Sequence, residues 1–170
     1  MYLLKKNYYD GIAGIYFERT INSIIKIGNL DRKGKKILDF GCGYGILKKK
    51  LKNKVYNYDI NPKLTEYKSW RKLKFDYIVI NQVLYLFHKK ELERLLKDLK
   101  KINPNLMLIV GISYQNLLSK ILAFLLGYKK AHDFTKLSYK DQINILNKEC
   151  ILIKKKNNYL NTILLLKFKE

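Results

Sequence analysis

The chain has 170 residues and a mass of 20.2 kDa, with 48% apolar and 29% charged residues. Such a composition builds a core and excludes a disordered chain, and the length suits one domain over residues 1–170. Thirty-five basic residues against 14 acidic ones give a formal net charge of +21, a field that attracts nucleic acid, anionic lipid or anionic small molecules.

In chain order, residues 8–27 read as an N-terminal helix, with Ile15, Ile21, Ile24 and Ile25 on one side and Gly11 and Gly14 weakening its first half. KKILDF is a short buried strand, followed at once by GCGYG and a Lys-rich helix running to about Asn53. VYNYD is a second strand. Residues 60–74 leave room for a short helix and at most a stub of strand. FDYIVIN is the third clear strand. Residues 88–102 form an amphipathic helix, with Leu92, Leu95, Leu96, Leu99 and Ile102 at helical spacing. NLMLIVGI is the next strand. Residues 117–126 read as an apolar helix and residues 139–148 as a polar one. CILI and NTILLLKF close the chain as an antiparallel pair joined by the turn KKKNN. Strands alternating with helices predict an α/β fold with a mostly parallel sheet.

Several classes drop out. Cys42 and Cys150 cannot build a disulfide framework, and neither sits in a metal-type pair. A reducing, cytoplasmic compartment and no metal are therefore expected. The start MYLLKKNYYD lacks the apolar core of a signal peptide. The longest apolar stretch, residues 117–126, is broken by Ser119 and Lys120 and is too short to span a bilayer. The basic excess is 31 Lys and only 4 Arg, beside 15 Asn. Codon bias of an AT-rich genome accounts for Lys over Arg but not for Lys over Glu. Phosphate and guanine recognition usually recruits Arg forks, so a plain solvated lysine surface competes with a partner-binding one.

The informative segment is KKILDFGCGYG. A strand ends near Asp39, glycines follow at Gly41, Gly43 and Gly45, and a helix begins. Such glycines permit a sharp turn and close backbone approach to a ligand. The helix start offers unpaired N–H groups to an anion. A second acid, Asp59, ends the next strand 18 residues after Gly41, where a carboxylate can accept both hydroxyls of a ribose. These features point to a nucleoside-containing cofactor at the carboxyl ends of parallel strands. Dinucleotide enzymes use G-x-G-x-x-G; this chain has G-x-G-x-G preceded by an acid.

At these residues the chain resembles the class I S-adenosylmethionine-dependent methyltransferases. The resemblance implies a Rossmann-like three-layer αβα sandwich with a six- or seven-stranded sheet and an antiparallel C-terminal hairpin. It also implies S-adenosylmethionine as cofactor and S-adenosylhomocysteine as product. It makes Asp39, Gly41, Cys42, Gly43, Asp59 and Ile60 cofactor residues. NYYDGIAGIYF looks like the family's N-terminal segment, which makes residues 1–30 a lid and places Tyr16 over the cofactor. FDYIVINQVLYLF is similar to the fourth-strand motif of small-molecule enzymes, so Asn81 and Gln82 would border the transferred methyl. Asn103, Pro104 and Asn105 stand where the family usually has Gly-Gly before its fifth strand. The span from Asp59 to Asp76 is short for the family's third strand and adenine-reading acid. There Trp70 or Ser69 borders the adenine, or Trp70 is ordinary core.

Methyl transfer from a sulfonium is an in-line displacement, accelerated largely by alignment and desolvation. A general base is needed only for a protonated nucleophile. Candidates are His132, beside Asp133, with His88 and Tyr85; packing, capping or exposure are the bland alternatives. Asn81 is followed by Gln82, Val83 and Leu84, so the N/D-P-P-Y/F clamp of adenine and glutamine enzymes is absent. Neither cysteine stands where a cytosine-methylating nucleophile would. The expected acceptor is a small or lipid-like molecule. An RNA acceptor, or a non-catalytic binding subunit, is the alternative. The charge leaves RNA or an anionic membrane as partner.

Overall fold

The computed structural model describes residues 11–114, 135–158 and 160–170. Helix α1 (Gly11–Gly28) leads into β1 (Lys36–Phe40), α2 (Ile46–Lys50) and β2 (Lys54–Tyr58). After one 3-10 turn (Trp70–Lys72) come β3 (Tyr77–Asn81), a second such turn (Leu84–Leu86) and α3 (Lys89–Ile102). Then follow β4 (Met107–Ser113), α4 (Tyr139–Glu149), β5 (Cys150–Asn157) and β6 (Asn161–Phe168).

The strands make one six-stranded sheet in the order β2-β1-β3-β4-β6-β5. The first four are parallel, and β6 runs antiparallel between β4 and β5. The central strands are continuous apolar runs because helices cover both faces. Alternate residues divide between two cores. Ile37, Val79, Ile109 and Leu165 face Ile21, Ile24 and Ile27 of α1 and Leu47 of α2. Leu38, Ile78, Ile80, Leu108 and Val110 face Leu92, Leu96 and Leu99 of α3 and Ile145 and Leu146 of α4. This is the expected three-layer αβα arrangement.

Some expectations fall outside the described residues, one holds and one needs adjusting. Helix α1 is described from Gly11, and the helix expected over residues 117–126 lies outside the described residues, as do His132 and Asp133. Residues 59–76 supply one 3-10 turn and no strand, as the short span allowed, and the described residues make a six-stranded sheet. The lysines assigned to the closing turn belong to β5. Lys154, Lys155 and Lys156 pair with Leu165, Leu164 and Ile163, and Asn158 N–H closes the actual turn on the Asn161 carbonyl at 2.8 Å. A strand ladder is made by backbone groups, so it continues under charged side chains whose heads reach water.

Candidate functional site

The carboxyl ends of β1, β2 and β3 meet around the glycine turn. Gly41, Gly43 and Gly45 take φ of 77°, 51° and 67°, the left-handed region where a side chain is strained. Both Gly41 N–H (2.8 Å) and Cys42 N–H (3.1 Å) donate to the Tyr58 carbonyl, which clamps the turn onto the end of β2. A Cβ on Gly41 would stand 2.4 Å from Val83 Cγ2, so the turn packs directly on the exit of β3. The helix expected to offer an anion-binding start is only the five residues of α2, three of them lysines.

Asp39, the fourth residue of β1, is 6% exposed. Burial, with the nearby charge of Asp59, pushes its carboxyl up to about 7. Among the described residues none donates a hydrogen bond to that carboxyl. Asp59 directly follows β2. Its Oδ2 accepts from Gly43 N–H at 3.0 Å and its Oδ1 from Asn61 N–H at 2.9 Å, so it braces the glycine turn against the next loop. Each oxygen keeps a further lone pair for a ligand hydroxyl. Ile60, the next residue, is 89% exposed, an isolated apolar side chain beside the two carboxylates. Cys42 points its thiol at the Leu64 carbonyl, 3.5 Å away. Burial, with the charges of Asp39 and Asp59, pushes that thiol up to about 12, which keeps it neutral and inert.

Asn81 closes β3, and Gln82 follows with a left-handed φ of 56°. Gln82 N–H donates to the Gly111 carbonyl (2.8 Å), and its Nε2 donates to the Tyr16 hydroxyl (2.7 Å). Tyr16 also accepts from Asn161 Nδ2 at 3.0 Å, and the same amide reaches Thr20 Oγ1 at 3.0 Å. Burial raises the Tyr16 phenol against these hydrogen bonds. Tyr16 thus ties α1 to the ends of β3 and β6. Asn81 Oδ1 is buried without a partner, facing Gly111, where a Cβ would come within 2.3 Å of it. Tyr85 follows in the second 3-10 turn; its carbonyl accepts from Lys136 N–H at 2.8 Å, and burial raises its phenol. His88 precedes α3 and its N–H donates to Glu91 Oε2 at 2.7 Å, a capping contact.

Asp39, Gly41, Cys42, Gly43, Asp59 and Ile60 therefore converge at one end of the sheet, with Asn81, Gln82 and Tyr16 adjoining through β3. Trp70 does not join them. It is 3% exposed and meets Phe40 edge-on at 5.9 Å, so it is core. Sequence reasoning missed Asn57, a buried strand residue with Oδ1 unpartnered, whose Nδ2 would lie 2.8 Å from a Cβ on Gly45. It also missed Asn161 and Thr162. Thr162 Oγ1 lies 2.7 Å from the Tyr114 hydroxyl and 3.1 Å from Asn157 Oδ1. The only sequence signal was two polar residues opening an otherwise apolar strand. Among the described residues no cluster of acids, histidines and cysteines could hold a metal.

The family profile described as "Methyltransferase domain" matches residues 13–143. A search of curated proteins returned no match. Solved structures share the fold. The PH0226 protein from Pyrococcus horikoshii is 14% identical with a TM-score of 0.69, over 98% of this chain and 97% of that one. The N-methyltransferase NodS from Bradyrhizobium japonicum, in complex with S-adenosylhomocysteine, is 14% identical with a TM-score of 0.64, over 98% and 91%. Magnesium protoporphyrin IX methyltransferase from Synechocystis, with the same product bound, is 15% identical with a TM-score of 0.58, over 97% and 92%. With a family profile spanning most of its length and this sheet order, the chain belongs to the methyltransferase-domain family, in the Rossmann-like fold of the class I S-adenosylmethionine-dependent enzymes.

Proposed function

We propose that the protein transfers the methyl group of S-adenosylmethionine to a small-molecule acceptor by in-line displacement, and that its own residues act chiefly by positioning. The observation that carries this reading is Asp39: a buried carboxyl with no donor among the described residues, facing Asp59 across a run of left-handed glycines. A ligand that brings positive charge and hydroxyl groups there relieves both carboxylates. The site fits such a group. Asp59 would hold the ribose hydroxyls, Ile60 would lie against the adenine, and the backbone of residues 41–43 would approach the amino-acid end. Asp39 would face its positive charge.

The bound cofactor supplies an activated methyl on a sulfonium. Gln82, fixed by the Tyr16 hydroxyl and the Gly111 carbonyl, would form the wall beside that methyl together with Asn81. Tyr85, three residues further along the chain, would line the acceptor side; His132 is the candidate base if the acceptor arrives protonated. Magnesium protoporphyrin IX methyltransferase, a neighbour whose name gives a small molecule as its acceptor, supports an acceptor of that class. A reading as a non-catalytic binding subunit draws on the loop that replaces the third strand beside the adenine.

Titration calorimetry with S-adenosylmethionine and S-adenosylhomocysteine tests the proposal. Binding is expected, and Asp59→Ala should weaken it by about 1–3 kcal/mol because two hydroxyls lose a charged acceptor. No heat with either compound would remove the methyltransferase reading. Binding without methyl transfer to any fraction of a cell extract would favour the non-catalytic subunit.

A further inference from the structure

We propose that the outer edge of the sheet, strand β5, docks the protein on the surface of an anionic lipid bilayer. Among the described residues β5 is the last strand in the sheet order and pairs on one side only, with β6. Ile151, Leu152 and Ile153 follow one another along it, 43%, 49% and 41% exposed. Successive strand residues point to opposite faces, so these half-exposed side chains straddle the edge of the sheet, Ile151 and Leu152 on opposite sides and Ile153 at the bulge, and make the edge itself an apolar ridge, which isolated surface leucines do not. Lys154, Lys155 and Lys156 continue the same strand and are exposed. Lys167 stands opposite Ile151 in the ladder and is also exposed, and Lys148 and Lys169 flank the start of the strand. Glu149, Glu170 and Asp141, which shares a surface hollow with Lys148 and Lys169, are the acids near this end. Lys156 Nζ donates to Ser23 Oγ and Lys169 Nζ to the Asn147 carbonyl, both neutral partners. The ridge is thus rimmed by six lysines, and the three ion pairs among the described residues all lie elsewhere.

The pattern selects among partners. A strand from another protein would need a flat edge, but the register shift between Leu152 and Lys154 leaves Ile153 as a bulge, and the lysines crowd the remainder. A second copy would also bring another net charge of +21. RNA would use the lysines and gain nothing from the aliphatic ridge. An anionic bilayer uses both: the ridge enters the boundary between headgroups and acyl chains while the lysine stems lift their charges to the phosphates.

The test is co-sedimentation of the full chain with vesicles of phosphatidylcholine alone and of phosphatidylcholine containing about 30% phosphatidylglycerol, at about 0.05 and about 0.3 M NaCl. Binding to the anionic vesicles only, weakened by salt, is expected. Changing Lys154, Lys155 or Lys156 to Gln should lower partitioning about fivefold each. Replacing Ile151, Leu152 and Ile153 together by Ser should lower it at least about tenfold and leave the salt dependence in place. In case that triple variant misfolds, Leu152→Trp supplies a second readout, a blue shift of its fluorescence on the anionic vesicles. Absence of binding, or binding that the serine variant retains with no blue shift from Leu152→Trp, would overturn the proposal. So would a short single-stranded RNA that competes fully for the protein while the serine variant binds vesicles undiminished.

Discussion

Asp39 is held where water scarcely reaches, within the field of a second carboxylate, and its carboxyl titrates near 7 instead of at its ordinary 3.8. The folded protein takes up a proton there as the pH falls through 7, whereas the unfolded chain does so only near 4. Between those values the folded state binds more protons, so this group favours folding at low pH. The contribution fades as the pH rises toward 7. At about 1.4 kcal/mol per unit the full penalty on the ionised form is on the order of 4–5 kcal/mol, an upper bound that relaxation around the carboxylate lowers. Asp39→Asn should therefore stabilise the protein by about 2–4 kcal/mol at pH 8 and leave it nearly unchanged at pH 4, as read by denaturant unfolding. The same change should cost cofactor affinity, because the site loses the charge that a cationic ligand relieves. In the wild-type protein that affinity should rise on the order of tenfold between pH 6 and pH 8. A flat profile, or a destabilised Asp39→Asn variant at pH 8, would place Asp39 in a structural role instead.

At the scale of elements, the outer strand is guarded against its own exposure. Among the described residues β5 has a neighbour on one side only, so it offers a backbone edge eight residues long, the usual template for unwanted strand addition. The bulge at Ile153 twists that edge, and Lys154 and Lys156 place charge along it. Changing Lys154 and Lys156 to Val should leave the ladder to β6 intact and yield concentration-dependent association, seen by light scattering at micromolar protein. Unaltered monomer behaviour would assign the guarding to the bulge alone. The same strand shows where sequence reading reaches its limit. β1, the glycine turn and α3 were legible, because a buried strand, a left-handed turn and a helical leucine stripe each restrict side-chain type locally. The three lysines of β5 were read as a turn, because a ladder places no such demand on a solvent-facing edge. Trp70 had two readings until Phe40 was placed beside it. The tie from Tyr16 to Asn161 spans 145 residues. No periodicity announces such a bond, and only the sheet order, which sets β6 beside β4 and under α1, brings the pair together.

For the molecule as a whole the dominating quantity is the net charge of +21. Like charges on a compact body repel, and unfolding lets them separate, so the field opposes the fold. The local pairs among the described residues that could offset it are three and at least partly exposed: Lys48 with Glu66 at 2.6 Å, Lys50 with Glu18 at 2.7 Å and Arg71 with Asp98 at 2.9 Å. Pairs of that kind contribute between nothing and about 1 kcal/mol each. Salt screens both the repulsion and the pairs, and the sign of its effect tells which is larger. At about 0.15 M salt the screening length is about 8 Å, so repulsion between distant lysines is removed while contacts under 3 Å are weakened less. The midpoint of thermal unfolding should therefore rise with sodium chloride, by a few degrees between about 0.02 and about 0.3 M, which for a chain of this size is on the order of 1 kcal/mol. Chloride is the right salt, because sulfate would add stability through exclusion from the surface. A midpoint that falls over that range would mean that short-range attraction among the lysines and their few acids outweighs the overall field.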